Sequence, residues 1–170
     1  MNLKLYKLGK KLTKKKINNI YLFLNENIKG SVFTIFGLNY FLKLLQINYQ
    51  YSFYITHKKK IVSYVAYINK KNEIIMKKKL FLLILKNFII FLPILVINYK
   101  FFFKIHQPPQ GYIQLIHLII KLEKRNKKLK SHLHKKVEYL NKKVSYKKYK
   151  GIYAIYENKN IVASKYYKKK

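Results

Sequence analysis

Arg125 is the only arginine in the chain and opens the run Arg125-Asn126-Lys127-Lys128-Leu129-Lys130-Ser131, in which four of seven residues are cationic. The run lies between an apolar stretch ending at Ile120 and a segment whose Leu133, Val137 and Leu140 fall on one helical face. A strand, a basic loop and a helix in that order bring cations to the free N–H groups of a helix start, a combination that receives anions. Other chemistries are poorly provided for. The chain has no cysteine, which removes disulfides, thiolate catalysis and cysteine-bound zinc. Its five acidic residues are all glutamates, so paired-carboxylate chemistry has no ready site. His132 and His134, two apart on a helix, point to different faces, and no metal site is expected. His117 and Glu123 flank the end of the apolar strand, but His117 reads as a packed strand residue and not as a general base. There is no glycine-rich P-loop, no Ser-His-Asp arrangement and no aromatic-glycine signature of an RNA-binding module.

Several elements must position these residues. Asn18 and Asn19 are expected to cap a short helix through Ile20, Phe23 and Leu24, and Leu38, Phe41, Leu42 and Leu45 mark one face of a second. Tyr51, Phe53 and Ile55 alternate with smaller or polar residues, His57–Lys60 breaks the pattern and Ile61–Ile68 resumes as an apolar run, which predicts a hairpin. After the turn signal Gln107–Gly111, the segment Tyr112–Ile120 is apolar on both faces from Leu115 onward, as a central buried strand requires. A helix is predicted from about Ser131 to Asn141, a strand over Gly151–Tyr156 and a last helix from Asn160.

This order of strand, basic loop, helix, strand and helix resembles the acyl-CoA-binding core of the GNAT (Gcn5-related N-acetyltransferase) superfamily. There the central strand enters a loop of the form Arg/Gln-x-x-Gly-x-Gly/Ala, and a helix starts directly from it. Here Arg125 takes the first position, and Lys128 and Lys130 replace the two small residues. Asn160-x-x-Ala163-x-x-x-Tyr167 matches a recurrent Asn-x-x-Ala-x-x-x-Tyr helix of the family. The resemblance is loose over Tyr51–Tyr67 and firmer over Gly111–Tyr167. It implies a mixed α/β, GNAT-like N-acyltransferase fold, acetyl-CoA (or another acyl-CoA) as donor, an amine as acceptor and direct transfer without a covalent enzyme intermediate. On that reading Arg125, Asn126, Lys127, Lys128, Leu129, Lys130 and Ser131 surround the pyrophosphate, and Leu118, Ile119 and Ile120 offer backbone N–H groups to the oxyanion. Asn160 contacts the cofactor and Tyr167 protonates the departing thiolate. The family continues beyond this helix with Gly-Phe and two more strands, so a truncated C-terminus is expected.

Composition sets the remaining bounds. A length of 170 residues suits one domain, with 77–105 as a hydrophobic helical insertion that the compact family fold lacks. Half the residues are hydrophobic and 16% aromatic, so the chain is expected to fold despite a formal charge of +33. The bias toward Lys, Asn, Ile, Tyr and Phe is the one A/T-rich codons produce, so part of the charge reflects the genome. Such a field still attracts nucleic acid and anionic membrane surfaces without specificity. A non-catalytic basic protein that binds RNA or a ribosome is therefore the alternative reading, and a protein anchored to a membrane through 80–97 is another. In Leu80–Ile97, Lys86 and Asn87 sit near the middle, where a lysine costs about 2.5–3.5 kcal/mol on insertion, and Pro93 favours a break. Helices packed on the sheet are predicted there. Met1–Lys16 lacks the continuous apolar core of a signal peptide, and a cytoplasmic location is expected.

Overall fold

Leu3-Lys4-Leu5-Tyr6-Lys7 alternates apolar and charged residues and forms the edge strand β1 (Leu3–Lys7). Its Tyr6 ring stacks on Tyr54 of the neighbouring strand, with centroids 5.1 Å apart. The computed structural model describes residues 3–9, 13–27, 37–86, 92–93, 96, 110–120, 127–146 and 148–154. After β1 come α1 (Lys14–Asn27), α2 (Gly37–Asn48), a short 3₁₀ turn (Tyr49–Tyr51), β2 (Ser52–His57), β3 (Lys60–Ile68) and α3 (Lys70–Lys86). They are followed by β4 (Tyr112–Ile120), α4 (Lys127–Ser145) and β5 (Gly151–Ala154). The sheet order is β1-β2-β3-β4-β5, antiparallel through β4, with β5 parallel to β4.

Helices cover both faces of this sheet. Ile17, Ile20, Phe23 and Leu24 form the apolar stripe of α1 and pack with Phe41 and Leu45 of α2 on Tyr54, Tyr64 and Ala66. On the other face, Leu129, Leu133, Val137 and Leu140 of α4 cover Phe53, Ile55, Val62, Val65, Tyr67, Ile113 and Leu115. Each such side chain contributes about 1.5–3 kcal/mol by leaving water, so the two stripes account for where the helices lie. The mixed α/β class expected from the sequence is the one observed.

Three boundaries differ from expectation. α1 starts at Lys14, where Thr13 Oγ1 accepts the Lys16 N–H at 3.4 Å, so Asn18 and Asn19 lie inside the helix and do not cap it. α4 starts at Lys127 and not at Ser131, because Leu129 is already in the core, one turn ahead of Leu133. α3 starts at Lys70, ahead of the expected insertion at 77, with Asn69 as its cap: Asn69 Oδ1 accepts the Asn72 N–H at 2.8 Å.

Asn72 in turn ties α3 to the body. Its amide donates to the Ile47 carbonyl and to Asn48 Oδ1, both at 3.2 Å, while buried Asn48 donates to the Tyr67 carbonyl at 2.6 Å. The C-terminal half of α3 is different: Phe81, Leu82 and Leu85 are exposed instead of packed on the sheet. Among the described residues no helix is long and apolar enough to cross a membrane.

Candidate functional site

β4 carries an irregularity where the site would be. Ala66 pairs with His117 and Tyr67 with Leu115, so Ile116 is an extra residue, a β-bulge. Side-chain placement records the same event. Leu115 and Leu118 pack on the α4 side, whereas Ile116 and Ile119 pack on the α1 and α2 side, a spacing of three where a regular strand gives two. A bulge bends its strand and increases the local twist. The described pairing with β5 covers Tyr112–Leu115 and ends next to this bend. Beyond it lie Leu118, Ile119 and Ile120, whose backbone groups point alternately toward β3 and toward the β5 side. The side chains of Leu118 and Ile119 belong to the two cores, so what these residues can offer a ligand is main chain.

The start of α4 sits at the same end of the sheet. Leu129 is 3% exposed and packs with Ile55 and Val62; Ile55 is opposite Ser63 on β3, and Ser63 is opposite Ile120 on β4. The first-turn amides of α4 lie at its positive end, where a helix has backbone N–H groups to offer an anion. Leu129 can therefore contribute only its backbone, while Ser131 is exposed. Lys128 and Lys130, which stand where the resembled motif has small residues, are right-handed helical residues. The non-glycine residues with positive φ among those described are Lys58 and Lys59, in the β2–β3 turn, so left-handed strain does not arise in the α4 start. Of the other residues singled out from the sequence, Arg125, Asn126, Asn160 and Tyr167 lie outside the described residues.

A cluster that sequence reasoning missed lies elsewhere. The Tyr51 and Tyr149 hydroxyls are 3.0 Å apart, and Lys148 Nζ donates to the Tyr51 hydroxyl at 3.2 Å. Burial pushes the Tyr51 hydroxyl up, but hydrogen bonds from Tyr149, Lys148 and Asn69 outweigh it and leave the group below its ordinary value. Burial, followed by the bond to Tyr51, raises Tyr149. Tyr51 and Tyr149 are 98 residues apart in sequence, and no local pattern announces their contact. Tyr149 precedes β5, whose Gly151 is opposite Tyr112, so its backbone lies where β4 begins, at the opposite end from Ile120. Among the described residues no group of three or more His, Cys, Asp or Glu side chains could hold a metal.

No protein-family model matches the sequence, and the search of curated proteins found no match. Solved structures are. The chain matches PH1933 from Pyrococcus horikoshii OT3 with a TM-score of 0.58 at 16% identity, over 99% of this chain and 87% of that one. It matches a possible acetyltransferase from Clostridium difficile 630 with a TM-score of 0.52 at 12% identity, over 98% and 88% of the two chains. It also matches the ribosomal-protein-S18-alanine N-acetyltransferase from Escherichia coli with a TM-score of 0.51 at 9% identity, over 99% of this chain and 76% of that one. At such identities the likeness is one of fold: this chain has the mixed α/β fold of GNAT-like acetyltransferase structures.

Proposed function

We propose that the protein is an acyl-CoA-dependent N-acyltransferase, with acetyl-CoA as donor and an amine as acceptor. One observation carries the reading: β4, bulged at Ile116 where its pairing with the parallel β5 ends, runs on to the end of the sheet at which the first turn of α4 begins. The first-turn amides suit a pyrophosphate, and main-chain N–H groups of Leu118–Ile120 suit an oxygen that gains charge during acyl transfer. In the reaction the neutral amine attacks the thioester carbonyl carbon, a C–N bond forms and the C–S bond breaks. The departing thiolate takes a proton, the role we give Tyr167, and the amine nitrogen loses one to solvent or a base. Asn160 and Arg125 complete the donor site in this proposal. The acetyltransferase structures matched above support it at the level of fold.

The test uses the absence of cysteine. Free thiol released from acetyl-CoA can be followed with a thiol reagent without any signal from the protein itself. Acetyl-CoA should also raise the melting temperature; at a hundred times its dissociation constant, binding contributes about 2.7 kcal/mol. Adenosine should not. If inorganic polyphosphate stabilises the protein as much as acetyl-CoA does and loses its effect in salt, the binding is by charge alone and the proposal fails.

A further inference from the structure

The apolar residues of α3 have a use that acyl transfer does not give them. Ile74, Phe81 and Leu85 recur on one face of the helix, Leu82 adjoins them, and their exposures are 47%, 61%, 54% and 56% respectively. A large aromatic and three aliphatic side chains left in water on one helix are a patch, not scatter. The same helix carries exposed Lys70, Lys71, Lys77, Lys78 and Lys79 ahead of Phe81. Its one acid, Glu73, is paired with Lys77 at 2.5 Å. Basic groups thus occupy the N-terminal part of α3 and bare apolar groups the part that follows.

We propose that α3 is an interfacial helix that lies on an anionic lipid surface, its lysines among the headgroups and Phe81, Leu82 and Leu85 at the acyl boundary. A bilayer presents these two chemistries as adjacent layers, anionic outside and apolar a few ångströms below, which matches the gradient along the helix. Lysine stems reach outward as the helix dips, keeping their charge at the headgroups. RNA would engage the lysines and gain nothing from Ile74, Leu82 or Leu85. The contact proposed is with the membrane surface; among the described residues no helix is long and apolar enough to cross it. The net charge of +33 adds long-range attraction to any anionic leaflet, and each lysine close to it strengthens binding about fivefold. Asn72, bonded to Ile47 and Asn48, holds the start of α3 on the body, so the patch is presented by a fixed element.

The chain has no tryptophan, so Phe81→Trp gives a single reporter at an exposed position of the full-length protein. Free in buffer, the introduced indole should emit as a solvent-exposed one. With vesicles of equal parts phosphatidylcholine and phosphatidylglycerol its emission should shift to the blue and become quenchable by brominated acyl chains. The double variant Phe81→Ser, Leu85→Ser should bind these vesicles at least about tenfold more weakly with an unchanged melting temperature, because it removes groups that lie in water in the free protein. Three results would overturn the proposal. Blue-shifted emission without lipid would mean that the chain covers its own patch. Vesicle binding without a shift would mean attraction by charge alone. A shift produced by poly(U) and not by vesicles would assign the surface to RNA.

Discussion

Replacing Lys127 by proline tests whether backbone or side chain holds an anion at the start of α4. Lys127 is the first residue of that helix, so its N–H has no carbonyl to bond within the helix. Proline is at home at such a position: it lacks a donor the helix does not use, and its fixed φ suits the first turn. The substitution therefore deletes one amide and one lysine charge while leaving α4 formed. Lys127→Gln deletes the charge and keeps the amide. A hydrogen bond to a charged group is worth about 1.5–3 kcal/mol, so Lys127→Pro should weaken CoA binding between roughly tenfold and a hundredfold. That loss should persist at high salt. The charge lost in Lys127→Gln is that of a lysine at a helix end, worth about 0.3–1 kcal/mol, at most about fivefold, and its effect should vanish as salt is raised. Calorimetric titration with CoA at low and high salt, with circular dichroism to verify helix content, separates the two. Equal loss in both variants, or a loss confined to low salt, would refute an amide-built anion site. The double change Lys128→Gly, Lys130→Gly adds a control. Both residues are helical, so glycine relieves no strain and should cost about 1 kcal/mol of stability at each site.

Two further outcomes follow from other parts of the molecule. Lys58 and Lys59 occupy the β2–β3 turn with φ of 48° and 64°, a conformation suited to Asn-Gly, so Lys58→Asn with Lys59→Gly should add about 1–2 kcal/mol in urea unfolding, and no gain would show that the turn stores no strain. Burial pushes the Tyr64 hydroxyl up from 10.0 to about 12, so the folded chain keeps a proton that the unfolded chain releases. Stability from this group is intact below pH 10 and declines as pH rises toward 12, by about 2–3 kcal/mol. Tyr64→Phe should lose less stability than the wild type over that interval, and parallel pH profiles would exclude the contribution.

How much of this is readable in the sequence depends on contrast between faces. The β2–β3 hairpin is legible because alternation flanks a polar break at His57–Lys60. β4 is legible as an apolar run, but its bulge is not, since Leu115, Ile116, Leu118 and Ile119 are apolar whichever face they take. β1 alternates as clearly as β2, yet among so many lysines its pattern resembles the neighbouring basic segments. α1 and α4 both start earlier than their sequence pattern predicts, for one reason. Lys14–Lys16 and Lys127–Lys128 bring no apolar periodicity, which begins only at Ile17 and Leu129. The Tyr51–Tyr149 contact, and the placing of the α4 start beside the end of β4, come from tertiary pairing and have no local signal.

Lysine at these helix starts raises a last question, whether charge there means a site or only composition. α1 and α4 both begin with consecutive lysines, and neither has an acid in its first turn. A cation at the positive end of a helix costs about 0.3–1 kcal/mol, so both starts break the usual rule. Had only α4 broken it, the lysines themselves would point to a ligand. Because α1 breaks it too, with Thr13 capping its own helix, lysine content alone explains the charge at both. What distinguishes α4 is placement: its first-turn amides stand at the end of a bulged central strand, while α1 lies across the sheet among apolar side chains. Salt dependence cannot therefore identify the site, since an anion would be drawn to either helix. The contrast between Lys127→Pro and Lys127→Gln can, because it asks for the amide that only a ligand at this helix start would use.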